Sequence, residues 1–454
     1  MSGQSGQIVA DGPASIPFGP AAPKLSMAND RNAWLSWIAA ISALAFHAAN
    51  GLFTALMFRF PSTLDELQHL SFIRSMEQTP RLFPRYQDLR VLDAQGRHFT
   101  SAANYLNHPS PYYLLMGPID RVLGGSTLDL RFVNLGLSLC AVALMLWAGY
   151  RLLENWKERA VFAAVLVLFP KLGVVAGLIS NDNAALLATG LGFLGLIEWQ
   201  QRPSARTALL LAVAVALCGW TKLTVLLMFG FSISIAEALR LWSGAERPRI
   251  RDYGVVCGGF VVAALPSLAG IAAYHRVLYH SYVYYVPPAQ RVSLSAAHYA
   301  AIFLRNMLIK WSALEPSDGL ARLGLFLVFA LAAAALVIGA RQMRAGPAST
   351  ESPDAGAAWR VSGAMILATA PVVLLHLYFG WQTFVEDGFV AMATDRYYYG
   401  IWPGFALGLA LLWRAYPGRA LKTPTTIVAV ALLAFSSVAA TAVFALAHGQ
   451  MTIG

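Results

Sequence analysis

Charge is scarce in this chain, and acidic charge scarcest. Of 454 residues only 12% are charged, and Asp and Glu together number 23. Soluble domains carry about 25% charged residues. With 57% hydrophobic residues, the chain holds more apolar surface than a soluble core can hide. Cysteine is also sparse. Cys140, Cys218 and Cys257 all fall inside apolar runs. None has metal-ligand spacing, and no disulfide framework is expected. The formal net charge of +10 could suggest a nucleic-acid partner. Its distribution argues against one, because the cations cluster in short connections between apolar stretches.

Long apolar runs are what the chain has instead. They fall near 34–58, 128–150, 160–179, 183–199, 206–220, 222–241, 253–275, 319–340, 359–382, 396–415 and 424–447. Runs of about 20 apolar residues read as membrane-spanning helices. The expected fold is an all-α polytopic membrane protein, a bundle of about eleven transmembrane helices. Residues 1–33, rich in Gly, Ser, Ala and Pro, read as a disordered cytoplasmic tail. The membrane domain is expected over 34–448, with outer loops 59–127 and 276–318 and a cytoplasmic linker 342–357. Tyr112 to Leu123 is apolar but too short to span, and Asp120 and Arg121 interrupt it. It reads as an interfacial helix of the first outer loop.

Basic residues orient the map. With the N-terminus in the cytoplasm, every cytoplasmic connection carries Lys or Arg, whereas 180–182 and 385–395 carry none. Loop 59–127 is the exception, with seven arginines.

Four segments could carry chemistry. Asp65-Glu66-Leu67-Gln68-His69 lies just past the first run. On a helix all three polar groups can share a face. They could take a proton from a hydroxyl, hold a divalent cation, or simply open a helix, where acids favour the dipole. Tyr105-Leu106-Asn107-His108-Pro109-Ser110-Pro111-Tyr112-Tyr113 re-aims the chain at an aromatic-rich corner, with Asn107 and His108 at the turn. Ser180-Asn181-Asp182-Asn183 joins two apolar runs and sets Asp182 near the outer surface. It is either a functional acid or a tight turn. Arg131, Lys222 and Arg396 sit at outer ends of runs, Arg396 just before Tyr397. They could bind an anionic headgroup or phosphate, or snorkel.

The order of these segments resembles the GT-C superfamily of membrane glycosyltransferases, including protein O-mannosyltransferases, aminoarabinose transferases and related bacterial proteins. There an acidic residue or pair follows the first span, as Asp65-Glu66 does here. A His-Pro corner enters a juxtamembrane helix, as His108 to Tyr113 does, and an Arg opens the next span, as Arg131 does. The Asn-Asp-Asn turn, Thr221-Lys222-Leu223-Thr224, and Arg396-Tyr397 before Pro403 complete the likeness. The sequence departs from the family in having His108-Pro109-Ser110-Pro111 rather than His-Pro-Pro. A large C-terminal soluble domain, common in the family, is not read here, which leaves acceptor recognition to membrane loops.

The resemblance implies a polyprenyl-phosphate sugar donor and a glycan, lipid or protein acceptor. It implies Asp65 as catalytic base with Glu66 the weaker candidate, and inversion at the sugar. His69, His108, Arg131, Asp182, Lys222, Arg396 and Tyr397 would bind substrate, and the loop arginines would serve the leaving phosphate. Metal use varies across the superfamily, so a divalent ion stays open. A bacterial inner-membrane location follows from the same likeness. The competing reading is a transporter or flippase of a lipid-linked or small polar substrate.

Overall fold

The computed structural model describes residues 30–62, 64–85, 88–106, 108–169, 172–274, 292–309, 318–344, 353–388 and 395–415. The run expected at 424–447 and the tail 1–29 lie outside them. The architecture is helical. The first run forms α1 (Asp30–Met57), and the second forms α4 (Thr127–Tyr150). Between them segment 59–127 folds as a small layer of its own. It holds α2 (Glu66–Gln78), a hairpin of β1 (Arg90–Leu92) and β2 (Phe99–Ala103), and α3 (Pro111–Val122). The antiparallel strands pair Leu92 with Phe99. This hairpin adds two short strands to an expectation of interfacial helices alone. Its core is apolar: Leu70, Phe72, Ile73 and Met76 of α2 meet Tyr113 and Met116 of α3 and Leu92 of β1.

One expected span is corrected. The run 160–179 is not one helix. It divides into α5 (Trp156–Val167) and α6 (Leu172–Ala176). Pro170 lies between them and brings no backbone N–H to a helical ladder. Twelve residues rise about 18 Å, short of a hydrocarbon core of about 30 Å. Gly177, just past α6, lies so close to the α1 backbone at Gly51 and Ala55 that a Cβ would collide. This contact draws residues 178–182 toward the end of α1.

The next elements are α7 (Asp182–Gln201), α8 (Ala205–Thr221), α9 (Leu223–Trp242) and α10 (Ile250–Tyr274). Ser204 caps α8 in a reciprocal bond with Thr207. Next come α11 (Ala296–Ile309), α12 (Asp318–Arg344) and α13 (Pro353–Asp387). The expected linker is shortened, because α12 and α13 continue into it from both sides. The run 396–415 opens as a 3-10 helix, Asp395–Ile401, before α14 (Trp402–Ala415).

Among the described residues, four helices are long and apolar enough to cross a membrane: Arg31–Met57, Thr127–Tyr150, Leu223–Trp242 and Ala355–Glu386. Ala205–Thr221 is apolar but shorter. The outward face of α1 exposes Trp34, Trp37, Ile41, Leu52 and Leu56, a surface suited to lipid rather than water. At the opposite end of the bundle from the loop layer, ion pairs and hydrogen bonds tie helices together. Arg414 bridges Glu154 and Glu158, and Arg360 donates to the Gln200 side chain at 2.9 Å.

Candidate active site

Where α1 ends, the chain must turn onto α2, and Asp65 makes the turn. It has φ 61° and ψ 17°, the left-handed region. Asp tolerates that region better than most residues, at a cost of roughly 1–2 kcal/mol. The consequence is a division of the acidic pair. Asp65, Glu66 and His69 were expected to share one helical face, and they do not.

Glu66 turns inward and is 0% exposed. Arg131 grips it with two bonds of 2.7 Å, and the N–H groups of Ser62 and Ile179 donate to it at 3.0 and 3.2 Å. Arg131 also donates to the carbonyls of Ala55 and Phe58 at 3.0 and 2.8 Å. These are terminal carbonyls of α1, which lack helical partners. The pair is a closed staple joining α1, α2, α4 and the segment before α7. Neither member faces the other candidate residues.

Asp65 turns the other way. Tyr105 donates to its Oδ1 and Arg396 to its Oδ2. Asp182, the first residue of α7, accepts from Lys222, and Arg396 Nη1 stands 3.8 Å from its other oxygen. An acid in the first turn also suits the α7 dipole. Lys222 occupies the one extended residue between α8 and α9, with φ −156° and ψ 124°. Its backbone still closes both helices, its N–H donating to Cys218 and its carbonyl accepting from Val225 and Leu226. The ring of Tyr397 lies 4.8 Å from the Lys222 ammonium and 5.9 Å from the Arg396 guanidinium. Asp182 is 3% exposed and its Lys222 partner 6%, whereas Asp65 and Arg396 remain 19% and 17% open. The reachable edge of the cluster is therefore Asp65 with Arg396.

Two histidines complete it. His69 bonds to the Tyr113 hydroxyl at 2.9 Å through Nδ1 and to Ser180 Oγ at 3.3 Å through Nε2. The His108 ring stacks on it at 5.8 Å. Burial pushes His69 down to about 4, and burial with the nearby Lys222 charge holds His108 well below the usual imidazole range. Both are neutral at pH 7. For Asp65, burial alone would raise the pKa. Arg396 and the Tyr105 hydroxyl outweigh it and hold the carboxyl below the usual range.

The histidines have a consequence for stability. His69 binds a proton near 6.5 when unfolded and near 4 when folded, so acid favours the unfolded chain. The contribution is present above about pH 6.5 and is lost as pH falls toward about 4. The expected slope is on the order of 1.4 kcal/mol per pH unit at its steepest. Thermal unfolding in nanodiscs from pH 7.5 to 4.5 measures it. His69→Gln should flatten the profile, and an unchanged slope would assign the loss to other groups.

The structure thus brings together Asp65, His69, His108, Asp182, Lys222, Arg396 and Tyr397, and leaves out Glu66 and Arg131. Tyr105, Tyr113 and Ser180 were not singled out from sequence, although each lies in or beside a segment that was. The arginines of loop 59–127 do not gather at the cluster either. Arg74 pairs with Asp120 and Arg121 with Glu77, both at 2.9 Å. Among the described residues, no group of three or more His, Cys, Asp or Glu is arranged to hold a metal ion.

Residues 91–250 match the family described as dolichyl-phosphate-mannose-protein mannosyltransferase. The matched segment contains His108, Arg131, Asp182 and Lys222 and excludes Asp65 and Arg396 on either side. It bears out the resemblance to GT-C membrane glycosyltransferases read from the order of the motifs. No curated protein matches the chain in sequence. Among solved structures, the chain is similar to the crystal structure of the apo form of the Archaeoglobus fulgidus oligosaccharyltransferase. The identity is 12% and the TM-score 0.43, over 91% of this chain and 56% of that one. The chain therefore spans little more than half the length of that neighbour.

Proposed function

We propose that the protein transfers a sugar from a polyprenyl-phosphate-linked donor to an acceptor hydroxyl, with inversion, on the non-cytoplasmic face of a bacterial inner membrane. The observation that carries this reading is the shared cluster of Asp65, Arg396, Asp182 and Lys222. Two cations meet two carboxylates there, and the pair at the open edge is a base with a phosphate-type ligand.

In the free protein Arg396 neutralises Asp65, so Asp65 is a poor base. A donor phosphate entering the open edge competes for Arg396 and Lys222. As Arg396 moves to the phosphate, Asp65 is released and becomes more basic. Asp65 then takes the acceptor proton as the acceptor oxygen attacks the anomeric carbon. The bond from that carbon to the phosphate oxygen breaks on the opposite side, and the polyprenyl phosphate leaves with its electron pair. Arg396 and Lys222 face the charge growing on that leaving group. Asp182 keeps both cations posted while the site is empty, and neutral His69 and His108 offer hydrogen bonds without adding charge.

Arg396→Gln tests the exchange. One charge-assisted bond contributes about 1.5–3 kcal/mol, so the donor KM should rise roughly 10-fold or more. The pH profile separates this role from mere support. In the native protein the acid limb of kcat lies at higher pH than that of kcat/KM, because kcat reports the donor-bound state. In the variant the two limbs should coincide. Unchanged separation would remove Arg396 from the exchange.

The reading also sets the N-terminus in the cytoplasm, with about eleven crossings in all. A single cysteine at Ser101, on the exposed hairpin of the first outer loop, should react with a membrane-impermeant maleimide in intact spheroplasts once the native cysteines are replaced. Labelling only after permeabilisation would invert the orientation.

A further inference from the structure

His376 lies inside the apolar run 359–382, where a polar ring is costly unless it meets a partner. It stands on α13 and is 5% exposed. Its Nδ1 shares a 3.0 Å hydrogen bond with the buried Tyr398 hydroxyl. Its ring meets both Tyr397 and Tyr398 edge-on, with centroids 5.6 Å apart in each pair. The two tyrosines follow Arg396 in the 3-10 helix Asp395–Ile401. Such a helix has three residues per turn, so consecutive side chains diverge by about 120°. The three residues accordingly engage three different partners. Arg396 reaches Asp65, the Tyr397 ring lies against the Lys222 ammonium, and Tyr398 reaches His376. Behind them Tyr399 packs edge-on against Phe169 at 5.2 Å, and Gly400 runs close against the Met228 side chain of α9. The hydrogen bonds of a 3-10 helix are poorer than those of an α-helix, so side-chain anchors decide where this turn sits.

We propose that His376 is a positioning residue for the donor-phosphate site, fixing the turn from which Arg396 passes between Asp65 and the phosphate. The inference rests on the reading of Arg396 and Lys222 as the phosphate-binding pair. The contacts of Arg396 and Tyr397 involve the two cations that a donor phosphate would engage, so they change when it enters. The bond between His376 and Tyr398 involves neither cation and holds the turn throughout. With the turn held, the exchange needs only the Arg396 side chain to move, and the Tyr397 ring stays beside Lys222. Without it, the turn loses its polar tie to α13, and Arg396 and Tyr397 shift together.

The test measures binding of farnesyl phosphate, a short-chain polyprenyl phosphate, to the full chain in phosphatidylcholine nanodiscs. Titration calorimetry against empty nanodiscs gives the Kd, and thermal unfolding checks the fold. His376→Phe keeps the aromatic edge and loses the hydrogen bond, so the Kd should rise about 10-fold. His376→Asn sets an amide near the place of Nδ1 and should bring the Kd back to within about threefold of native. The double variant His376→Phe/Tyr398→Phe strands no buried hydroxyl. It should fold even where the single variant does not, and bind as weakly. Coupling to Arg396 separates positioning from general support. In an Arg396→Gln background, His376→Phe should raise the Kd less than about twofold, because changes acting through one group do not add. Native affinity in both Phe variants, no recovery in His376→Asn, or full additivity with Arg396→Gln overturns the proposal. Absence of binding by the native protein removes the phosphate site and this inference with it. If binding behaves as expected but the native protein releases no sugar from any donor, the positioning role stands and the transferase reading falls.

Discussion

Asp65→Asn is expected to cut sugar transfer by about 10²–10⁴-fold, the usual cost of removing a general base. The substitution is well suited to the site. Asn tolerates the left-handed backbone of position 65 as Asp does. Its carbonyl oxygen can still accept from Tyr105, so the entry to α2 should keep its shape. What disappears is the charge that holds Arg396 and the oxygen that would take the acceptor proton. The two losses act in opposite directions on donor and chemistry. Arg396, no longer engaged by Asp65, becomes more available to phosphate, so the donor KM should stay level or fall. The fall in rate should then appear in kcat. A well-folded Asp65→Asn protein with near-native kcat would move the role to Asp182, the other carboxylate of the cluster.

The second large effect concerns stability. Arg131→Met should destabilise the protein by about 3–5 kcal/mol, because it strands Glu66 as a buried carboxylate. It also returns the carbonyls of Ala55 and Phe58 to an unpaired state at the end of α1. Glu66→Gln should be milder, since an amide can still meet part of the Arg131 fork. Both should show as a lower unfolding midpoint in nanodiscs, with the activity of the surviving folded fraction nearly intact. A Glu66→Gln protein of native stability and no activity would return Glu66 to the chemistry.

The contrast between Asp65 and Glu66 marks where sequence stops being informative. Both acids follow the first apolar run, and an ideal helix would set them with His69 on one face. A single left-handed residue sends them to opposite sides of α2, and nothing in the residue type dictates which of two adjacent acids adopts it. Arg131 was legible as a cation at the mouth of a span. Its partner 65 positions away was not, because ion pairing across such a separation depends on how α1 and α4 pack. Asp182, Lys222 and Arg396 were legible for a more general reason. Charged residues interrupting apolar runs are costly unless they meet a partner, so they tend to find one another. The division of the run 160–179 into α5 and α6 was missed because hydropathy is nearly blind to a helix interruption within an apolar stretch. Pro170 was its only mark. The hairpin of β1 and β2 was missed because three and five residues are too short for a period-two pattern to show. Tyr105 illustrates the same limit at the site. A tyrosine in an aromatic-rich loop has no signal distinguishing a carboxylate partner from a membrane-interface anchor.

The most direct measurement is transfer itself. Purified full-length protein in nanodiscs is incubated with a panel of radiolabelled polyprenyl-phosphate sugars, and free and transferred label are followed over time beside Asp65→Asn. Release or transfer of at least one sugar by the native protein, reduced by about 10²-fold or more in the variant, is the result expected here. The contradicting result is an intact donor for every sugar in the panel, together with movement of the labelled lipid across the bilayer of proteoliposomes, which would make the protein a flippase.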